Sequence, residues 1–170
     1  TWAAIQSSAP SIHSLPPERV REELDRIWIH PNRLTGFDLL VDSGLMREIV
    51  PELMDLQGCE QPPQWHPEGD VFVHTRLMLS LLPDDASLPL VLSTLFHDIG
   101  KPATYSFDEA EQRIRFNGHD KVGAEMARQI LRRLKYSNDV VDATVEAVSV
   151  HMKFKDVMQM RKSTLKRFMA

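Results

Sequence analysis

The chain has 170 residues and a mass of 19.5 kDa, a length that suits one globular domain with at most a small helical appendage. Its residues are 42% hydrophobic and 26% charged, and this composition excludes a largely disordered chain. No apolar stretch approaches the ~20 residues of a membrane span, and the single cysteine, Cys59, cannot form an internal disulfide, so we expect an intracellular, cytoplasmic protein. Residues 1–100 carry 6 basic and 15 acidic side chains and residues 101–170 carry 14 and 9, which gives net charges of −9 and +5. The basic second half predicts either a surface that contacts phosphates or only solvated helix faces.

Apolar residues recur with helical periodicity and glycine is scarce, so we predict an all-α fold. Helices are predicted, in chain order, between Pro16 and His30, over Asn32–Ser43, in short turns at Leu45–Ile49 and Pro51–Leu56, from Asp70 to Leu82, from Ser87 to Ile99, over about 118–135 and 138–152, and near 162–169. Residues 104–116 break this pattern, and alternation at Arg113–Phe116 predicts a small β-hairpin there.

Three prolines between Gly58 and Gly69 predict an ordered loop, and we place a domain boundary at its start. Residues 1–15 lack a strong pattern and are interpreted as a linker or the end of an upstream element, which fits a chain that begins at Thr1 rather than Met. Residues 16–57 are predicted to form a helical unit, and residues 58–170 the main domain.

The dipeptide His97-Asp98 lies at the end of the most apolar predicted helix. A buried carboxylate beside an imidazole is unfavourable unless a charge compensates it, and metal coordination is the usual compensation. Adjacent helical residues point about 100° apart, so the two side chains converge on one cation only where the backbone turns away from the helix. Gly100 and Pro102 predict such a turn directly after the pair.

Three more histidines, His74, His119 and His151, lie near the ends of separate predicted helices. Together with His97-Asp98 they suit a divalent ion that keeps open coordination positions. Each of these histidines taken alone has a competing interpretation as an ordinary core or surface residue. His66, in the loop before His74, is predicted either to contact a substrate or to be an ordinary loop histidine.

The chain thus carries the ordered set His74, His97-Asp98, His119 and His151, and the string Phe96-His97-Asp98-Ile99-Gly100-Lys101-Pro102. This combination resembles the HD superfamily of metal-dependent phosphohydrolases. Further strings are Glu18–Leu24 with Gly44–Glu52, and Phe116–Ala124 with Met160-Arg161 and Thr164–Phe168. These strings resemble the region behind the catalytic head of bacterial tRNA CCA-adding enzymes and poly(A) polymerases, and the resemblance covers the chain from about Pro16.

The resemblance implies a helical-bundle HD domain preceded by short neck-like helices at residues 16–57. It implies that a divalent ion, or a pair of ions bridged by Asp98, binds to His74, His97, Asp98, His119 and His151, with Mg, Mn, Co and Ni all open as its identity. Asp98 and Lys101 are then expected to be catalytic, and Lys101, His66 and Lys121 to contact the substrate. From the pattern alone, Lys101 is equally well interpreted as a surface lysine at a helix C-terminus.

The implied activity is hydrolysis of phosphomonoesters or 2′,3′-cyclic phosphodiesters, with RNA, tRNA in particular, or a nucleotide as the substrate. The resemblance also implies a nucleotide-adding head that would precede Thr1. The chain contains neither the Gly-Ser turn nor the Asp-x-Asp pair of such a head, so we expect it to lack the nucleotide-adding site. The competing hypothesis is a catalytically silent HD module that serves as an RNA-binding body. The oligomeric state stays open.

HD proteins complete their ligand set with an aspartate that follows the last histidine. Here the carboxylate after His151 is Asp156, and the apolar neighbours Phe154 and Val157 indicate that this stretch turns toward the core. We therefore expect a C-terminally incomplete HD domain whose closing aspartate lies beyond Ala170, with Asp156 as the alternative ligand.

Overall fold

The computed structural model describes residues 1–154, and helices account for most of them. Within this range the α-helices, α1 to α9 in chain order, span Trp2–Ser8, Pro17–Trp28, Arg33–Asp42, Leu45–Ile49, Pro51–Met54, Val71–Ser80, Leu88–Phe96, His119–Arg133 and Asn138–Phe154. Short 3₁₀ helices span Ala9–Ser14 and Pro102–Thr104, and strands β1 (Ser106–Asp108) and β2 (Arg113–Arg115) form an antiparallel hairpin. The predicted all-α class and the small hairpin are confirmed. None of the helices in this range is long and apolar enough to cross a membrane.

The N-terminal residues 1–15, interpreted from the sequence as a linker or the end of an upstream element, are largely helical. α1 and the following 3₁₀ helix occupy residues 2–14, and α1 buries none of its own residues. Buried Ala9 and two polar contacts hold the segment. Gln6 Nε2 donates to the carbonyl oxygen of Asp42 at 2.9 Å, and His13 Nε2 lies 2.9 Å from Glu48 Oε2.

Asp70 fixes the start of α6 and the loop before it. Its Oδ1 accepts from the backbone N–H of Val73 at 2.9 Å, as the predicted N-cap should. Its Oδ2 accepts from the backbone N–H of Gly58 at 2.7 Å. The two ends of loop 58–69 are therefore held together by one carboxylate, which keeps the loop close to α6.

One continuous hydrophobic core runs from Leu24 and Trp28 on α2, through α7, to Val148 on α9. α7 is apolar nearly all round, and α8 and α9 cover it together with the N-terminal helices. The core crosses the predicted boundary between residues 57 and 58, because residues from both sides of it share the same interior. The division into units at that point remains a prediction. The helix predicted near 162–169 lies outside the described residues.

Candidate metal centre

His97 and Asp98 lie in the turn that follows α7, as Gly100 and Pro102 predict. The turn depends on the absence of a side chain at Gly100. A β-carbon there would overlap the carbonyl oxygen of His119 and lie 2.6 Å from the backbone nitrogen of Gly123. Because the start of α8 packs directly on this glycine, His119, the first residue of α8, is brought next to Asp98.

Asp98 is the buried centre of the site, and only 3% of the residue is exposed. Its Oδ2 lies 3.1 Å from His97 Nε2 and 3.7 Å from His74 Nε2. Its Oδ1 lies 3.4 Å from His119 Nε2 and 3.7 Å from His151 Nε2. The structure therefore brings the four predicted histidines together around Asp98. The carboxylate separates them into two pairs, each facing one of its oxygens.

Backbone carbonyls orient three of the four imidazoles. In each, Nδ1 contacts the carbonyl oxygen three residues earlier: His97 with Thr94 at 2.7 Å, His119 with Phe116 at 2.8 Å, and His151 with Val148 at 2.6 Å. A carbonyl only accepts, so the neutral ring carries its hydrogen on Nδ1 and presents an Nε2 lone pair to the site. The Nε2 atoms of His119 and His151 then face each other at 3.2 Å, and both face Asp98 Oδ1.

This arrangement of acceptor atoms fits a cation. Lone pairs that face one another are unfavourable unless a positive charge lies between them. Two ligand atoms bound at ~2.1 Å to one tetrahedral ion are about 3.4 Å apart, and the histidine nitrogens lie 3.1 to 3.7 Å from the carboxylate oxygens. His97 Nε2 is a buried atom without a hydrogen-bond partner among residues 1–154. The nitrogen and oxygen donors suit a divalent ion, and they leave its identity open.

The electrostatics of the centre favour an ionised carboxylate. Burial alone would raise the pKa of Asp98, but the positive charge at His97 and the hydrogen bonds from His119 and His151 outweigh it and hold the pKa well below its usual value when these rings carry the proton. Burial lowers the pKa of His74. The pKa of His151 is raised, because its contacts with Asp98 and the Val148 carbonyl outweigh the effect of burial. An ion that binds to these nitrogens must displace any proton they hold.

Lys101 lies inside the site. Its Nζ is 2.8 Å from Asp98 Oδ2 and 2.6 Å from Gln61 Oε1, and it lies 5.4 Å above the centre of the Phe116 ring. The interpretation of Lys101 as a surface lysine is wrong, because only 5% of the residue is exposed. In this geometry the ammonium balances the charge of Asp98, and its contact with a substrate phosphate stays a prediction.

The two other predicted substrate residues are placed differently. His66 joins the site, since its ring centre lies 4.7 Å from that of His74 and its Nδ1 lies 3.2 Å from Glu68 Oε1. Lys121 is exposed on the first turn of α8 and forms no ion pair with any residue that the structure describes. Their contacts with a substrate stay predictions. Asp156, the alternative ligand, lies outside the described residues.

Sequence reasoning did not single out two residues that contact the site, Glu68 and Gln61. Glu68 Oε1 lies 2.5 Å from His74 Nδ1, and Gln61 accepts from Lys101. Both belong to loop 58–69, which has no periodic pattern. The short spacing of His66, Glu68 and His74 could have indicated Glu68. A carboxylate that lies in sequence between two histidines, one of them a predicted metal ligand, is a candidate to orient that ligand.

Comparison with known families divides the chain into two matched regions. Residues 1–56 match the family model described as the probable RNA and SrmB-binding site of polymerase A. Residues 71–169 match the model of the HD domain. These matches confirm the resemblance that the motifs indicate, and all the histidines that face Asp98 fall within the second region.

Similar curated proteins are tRNA-modifying enzymes. The CC-adding tRNA nucleotidyltransferase of Thermus thermophilus is 38% identical over 156 residues, which cover 89% of this chain and 34% of that protein. The A-adding tRNA nucleotidyltransferase of Deinococcus radiodurans is 40% identical over 139 residues, covering 79% and 31%. The multifunctional CCA protein of Herminiimonas arsenicoxydans is 32% identical over 161 residues, covering 93% and 37%. The chain thus spans about one third of the length of the curated relatives it matches.

Proposed function

Because this chain belongs to the HD domain family, we propose that it is a metal-dependent phosphohydrolase acting on phosphomonoesters or 2′,3′-cyclic phosphodiesters. The observation that carries this proposal is the position of Asp98, whose two oxygens each face a pair of histidine nitrogens. Asp98 and the four histidines would hold a divalent ion, and such an ion would supply Lewis-acid chemistry for the hydrolysis of phosphate esters.

The residues of the centre would have distinct roles in this hydrolysis. A divalent ion bound there supplies Lewis-acid chemistry, which polarises a phosphoryl oxygen and makes water a stronger nucleophile. His74 and His97 hold one side of the centre, His119 and His151 hold the other, and Asp98 joins them. Lys101 keeps a fixed positive charge beside Asp98 and thereby offers a point charge to the phosphate of a substrate.

We propose an RNA end, of tRNA in particular, as the substrate. Residues 1–56 match an RNA-binding model, and the similar proteins are named for their action on tRNA. A terminal phosphate or 2′,3′-cyclic phosphate occupies the hydroxyl groups on which nucleotide addition depends, so its hydrolysis would prepare an RNA end for that reaction.

We also propose a cytoplasmic location. A reducing cytoplasm fits the free, half-buried thiol of Cys59.

The test uses the wild-type chain, Asp98→Asn and the matched control Asp142→Asn, which changes an exposed carboxylate on α9. Hydrolysis of nucleoside 2′,3′-cyclic phosphates and of p-nitrophenyl phosphate is followed with each candidate metal and with a chelator. We expect chelator-sensitive turnover in the wild type and the control, and a loss of about 100-fold or more in Asp98→Asn. Turnover that survives both the chelator and Asp98→Asn would contradict the proposal.

A second candidate function, an RNA-binding body without catalysis, is favoured by the match of residues 1–56 to an RNA-binding model. It predicts tRNA binding that weakens steeply with salt and does not respond to a chelator. It also predicts that the wild type binds a divalent ion but hydrolyses neither phosphate ester. Filter binding of tRNA at several salt concentrations, with and without chelator, separates the two candidates when read beside the hydrolysis assay.

A further inference from the structure

The four histidines of the centre are not oriented in the same way. His97, His119 and His151 each contact the carbonyl three residues earlier in their own segment. His74 does not use the equivalent carbonyl, that of Val71, which instead accepts the hydroxyl of Thr75 at 2.9 Å. Its Nδ1 faces a carboxylate oxygen, Glu68 Oε1, at 2.5 Å. The orientation of one predicted ligand therefore depends on a side chain from another segment.

Loop 58–69 holds Glu68 in place from several directions. Gln61 Nε2 donates to the carbonyl oxygen of Gly69 at 3.3 Å, and Gln61 Oε1 accepts from Lys101. The same Glu68 oxygen that meets His74 also lies 3.2 Å from His66 Nδ1. Only 19% of the Glu68 side chain is exposed, although the loop runs over the surface. The carboxylate is thus shielded, shared by two imidazoles, and tied through its loop to Lys101 at the centre.

We propose that Glu68 is a positioning residue that fixes His74 with its hydrogen on Nδ1 and its Nε2 lone pair toward Asp98. A carboxylate that accepts from the outer nitrogen of a metal-binding imidazole sets the tautomer and orientation of the ring and raises its basicity. This inference rests on the proposed metal centre. It adds that loop 58–69 controls the orientation of His74, whereas backbone carbonyls orient His97, His119 and His151.

The first measurement reads the tautomer in metal-free protein, so it does not depend on activity. Proton–nitrogen correlation spectra of the imidazole rings, recorded at a pH where they are neutral, distinguish hydrogen on Nδ1 from hydrogen on Nε2. We expect His74 to hold its hydrogen on Nδ1 in the wild type and to lose this preference in Glu68→Ala. The matched control is Glu60→Gln, an exposed carboxylate on the same loop, which should leave His74 unchanged.

The second measurement titrates Mn²⁺ by calorimetry. We expect Glu68→Ala to weaken binding on the His74 side by about 10–100-fold, while any ion on the His119 and His151 side keeps its affinity. Glu68→Gln retains an oxygen that accepts from Nδ1, so it should preserve more of the Nδ1 tautomer and lose less affinity than Glu68→Ala. If Glu68→Ala fails to fold, Glu68→Gln replaces it; we then expect a smaller but measurable loss of Mn²⁺ affinity relative to the wild type, and an unchanged affinity would contradict the inference.

Two results would overturn the inference. An unchanged His74 tautomer together with unchanged Mn²⁺ affinity in Glu68→Ala would show that Glu68 does not position the ring. Loss of one whole Mn²⁺ equivalent in both Glu68→Ala and His66→Ala would show that His66, Glu68 and His74, whose donor atoms lie within 4.8 Å of one another, bind an ion themselves. A wild type that binds no Mn²⁺ would overturn the proposed function instead, and the tautomer measurement would still decide the role of Glu68.

Discussion

Asp98 and Lys101 form the charged pair at the bottom of the site. Both side chains are buried, with 4% and 7% of their surface exposed, and the ammonium contacts the same oxygen that faces His74 and His97. A buried charge without a partner is far more costly than an exposed one. Lys101 therefore places a compensating positive charge beside the carboxylate when no other cation is present, in addition to any contact it makes with a substrate.

Lys101→Met should separate these two roles. Removing one partner of a buried ion pair leaves the other uncompensated, so we expect metal-free Lys101→Met to lose about 3 kcal/mol of stability. A divalent ion then replaces the missing charge, so the rise in Tm on adding Mn²⁺ should be larger in the variant than in the wild type. Thermal melts with and without Mn²⁺ measure both effects, and Lys121→Met, which removes an exposed lysine, is the matched control.

A lysine that served only the substrate would behave differently. Lys101→Met would then raise KM for a phosphate ester but leave the metal-free Tm and its response to Mn²⁺ at their wild-type values. Such a result would contradict the charge-balancing role.

At the scale of elements, the site depends on how closely the turn after α7 meets the start of α8. Gly100 and Gly123 face each other across this contact. A β-carbon at Gly123 would lie 3.2 Å from the backbone nitrogen of Gly100 and 3.5 Å from Ile99 Cγ2. The two glycines thus set how far His119 stands from Asp98, although neither has a side chain to bind anything.

Gly100→Ala should damage the metal centre more than Gly123→Ala. The new methyl group at position 100 meets backbone atoms of α8, which move only with the helix, and overpacking of this kind costs about 1–3 kcal/mol. At position 123 the contacts are looser, and alanine also gains up to ~1 kcal/mol of helix propensity over glycine. Urea unfolding and Mn²⁺ titration of both variants measure the difference. Equal losses of stability and affinity would show that the close approach at Gly100 does not set the position of His119.

Sequence patterns predicted the residues that meet around Asp98 but not their surroundings. His97-Asp98 was placed correctly in a turn, because Gly100 and Pro102 mark a helix end locally. The close contact of α8 with that turn, and the burial of Lys101, result from long-range packing, which residue spacing does not encode. Glu68 was not predicted, because an irregular loop has no periodic pattern of apolar residues. Helix α1 was not predicted either, because it buries no apolar face.

At the scale of the molecule, polar side chains join the N-terminal helices to the rest of the shared core. The buried guanidinium of Arg33 on α3 donates to three backbone carbonyls: that of Trp28 at 2.9 Å, that of Pro83 at 3.1 Å and that of Asp84 at 2.8 Å. The last two lie between α6 and α7. The Arg33 side chain therefore links the end of α2 to the loop that precedes α7.

Arg33→Met should destabilise the whole molecule. Hydrogen bonds to charged groups and buried carbonyls left without donors each contribute about 1–3 kcal/mol, so we expect a loss of about 2–4 kcal/mol. Arg26→Met removes an arginine whose side chain is 72% exposed and should change stability by less than ~0.5 kcal/mol. Urea unfolding, followed by circular dichroism and by tryptophan fluorescence, should show one shared transition in both variants. Separate transitions would mean that the N-terminal helices unfold as an independent unit.

A second connection, between α8 and α5, should be sensitive to acid. Arg133 Nη1 and Nη2 lie 2.8 and 2.9 Å from the two carboxylate oxygens of Glu52. Burial raises the pKa of Glu52, but the Arg133 hydrogen bonds and a backbone contact outweigh it and lower the pKa below 4.5. A carboxyl whose pKa is depressed by folding contributes stability above its unfolded pKa, and this stability is lost as the pH falls through the folded pKa.

The coupling free energy between Glu52 and Arg133 should therefore decrease at acidic pH. A double-mutant cycle of Glu52→Gln and Arg133→Met isolates this pair from the histidines, which titrate in every member of the cycle alike. Because both side chains are partly exposed, at 24% and 47%, we expect a coupling of only about 0.5–1 kcal/mol at pH 7. It should be constant down to about pH 4.5 and shrink below that, as far as all four proteins stay folded. Urea unfolding at a series of pH values measures it, and a coupling that does not change with pH would show that the pair adds nothing to folding through the charge of Glu52.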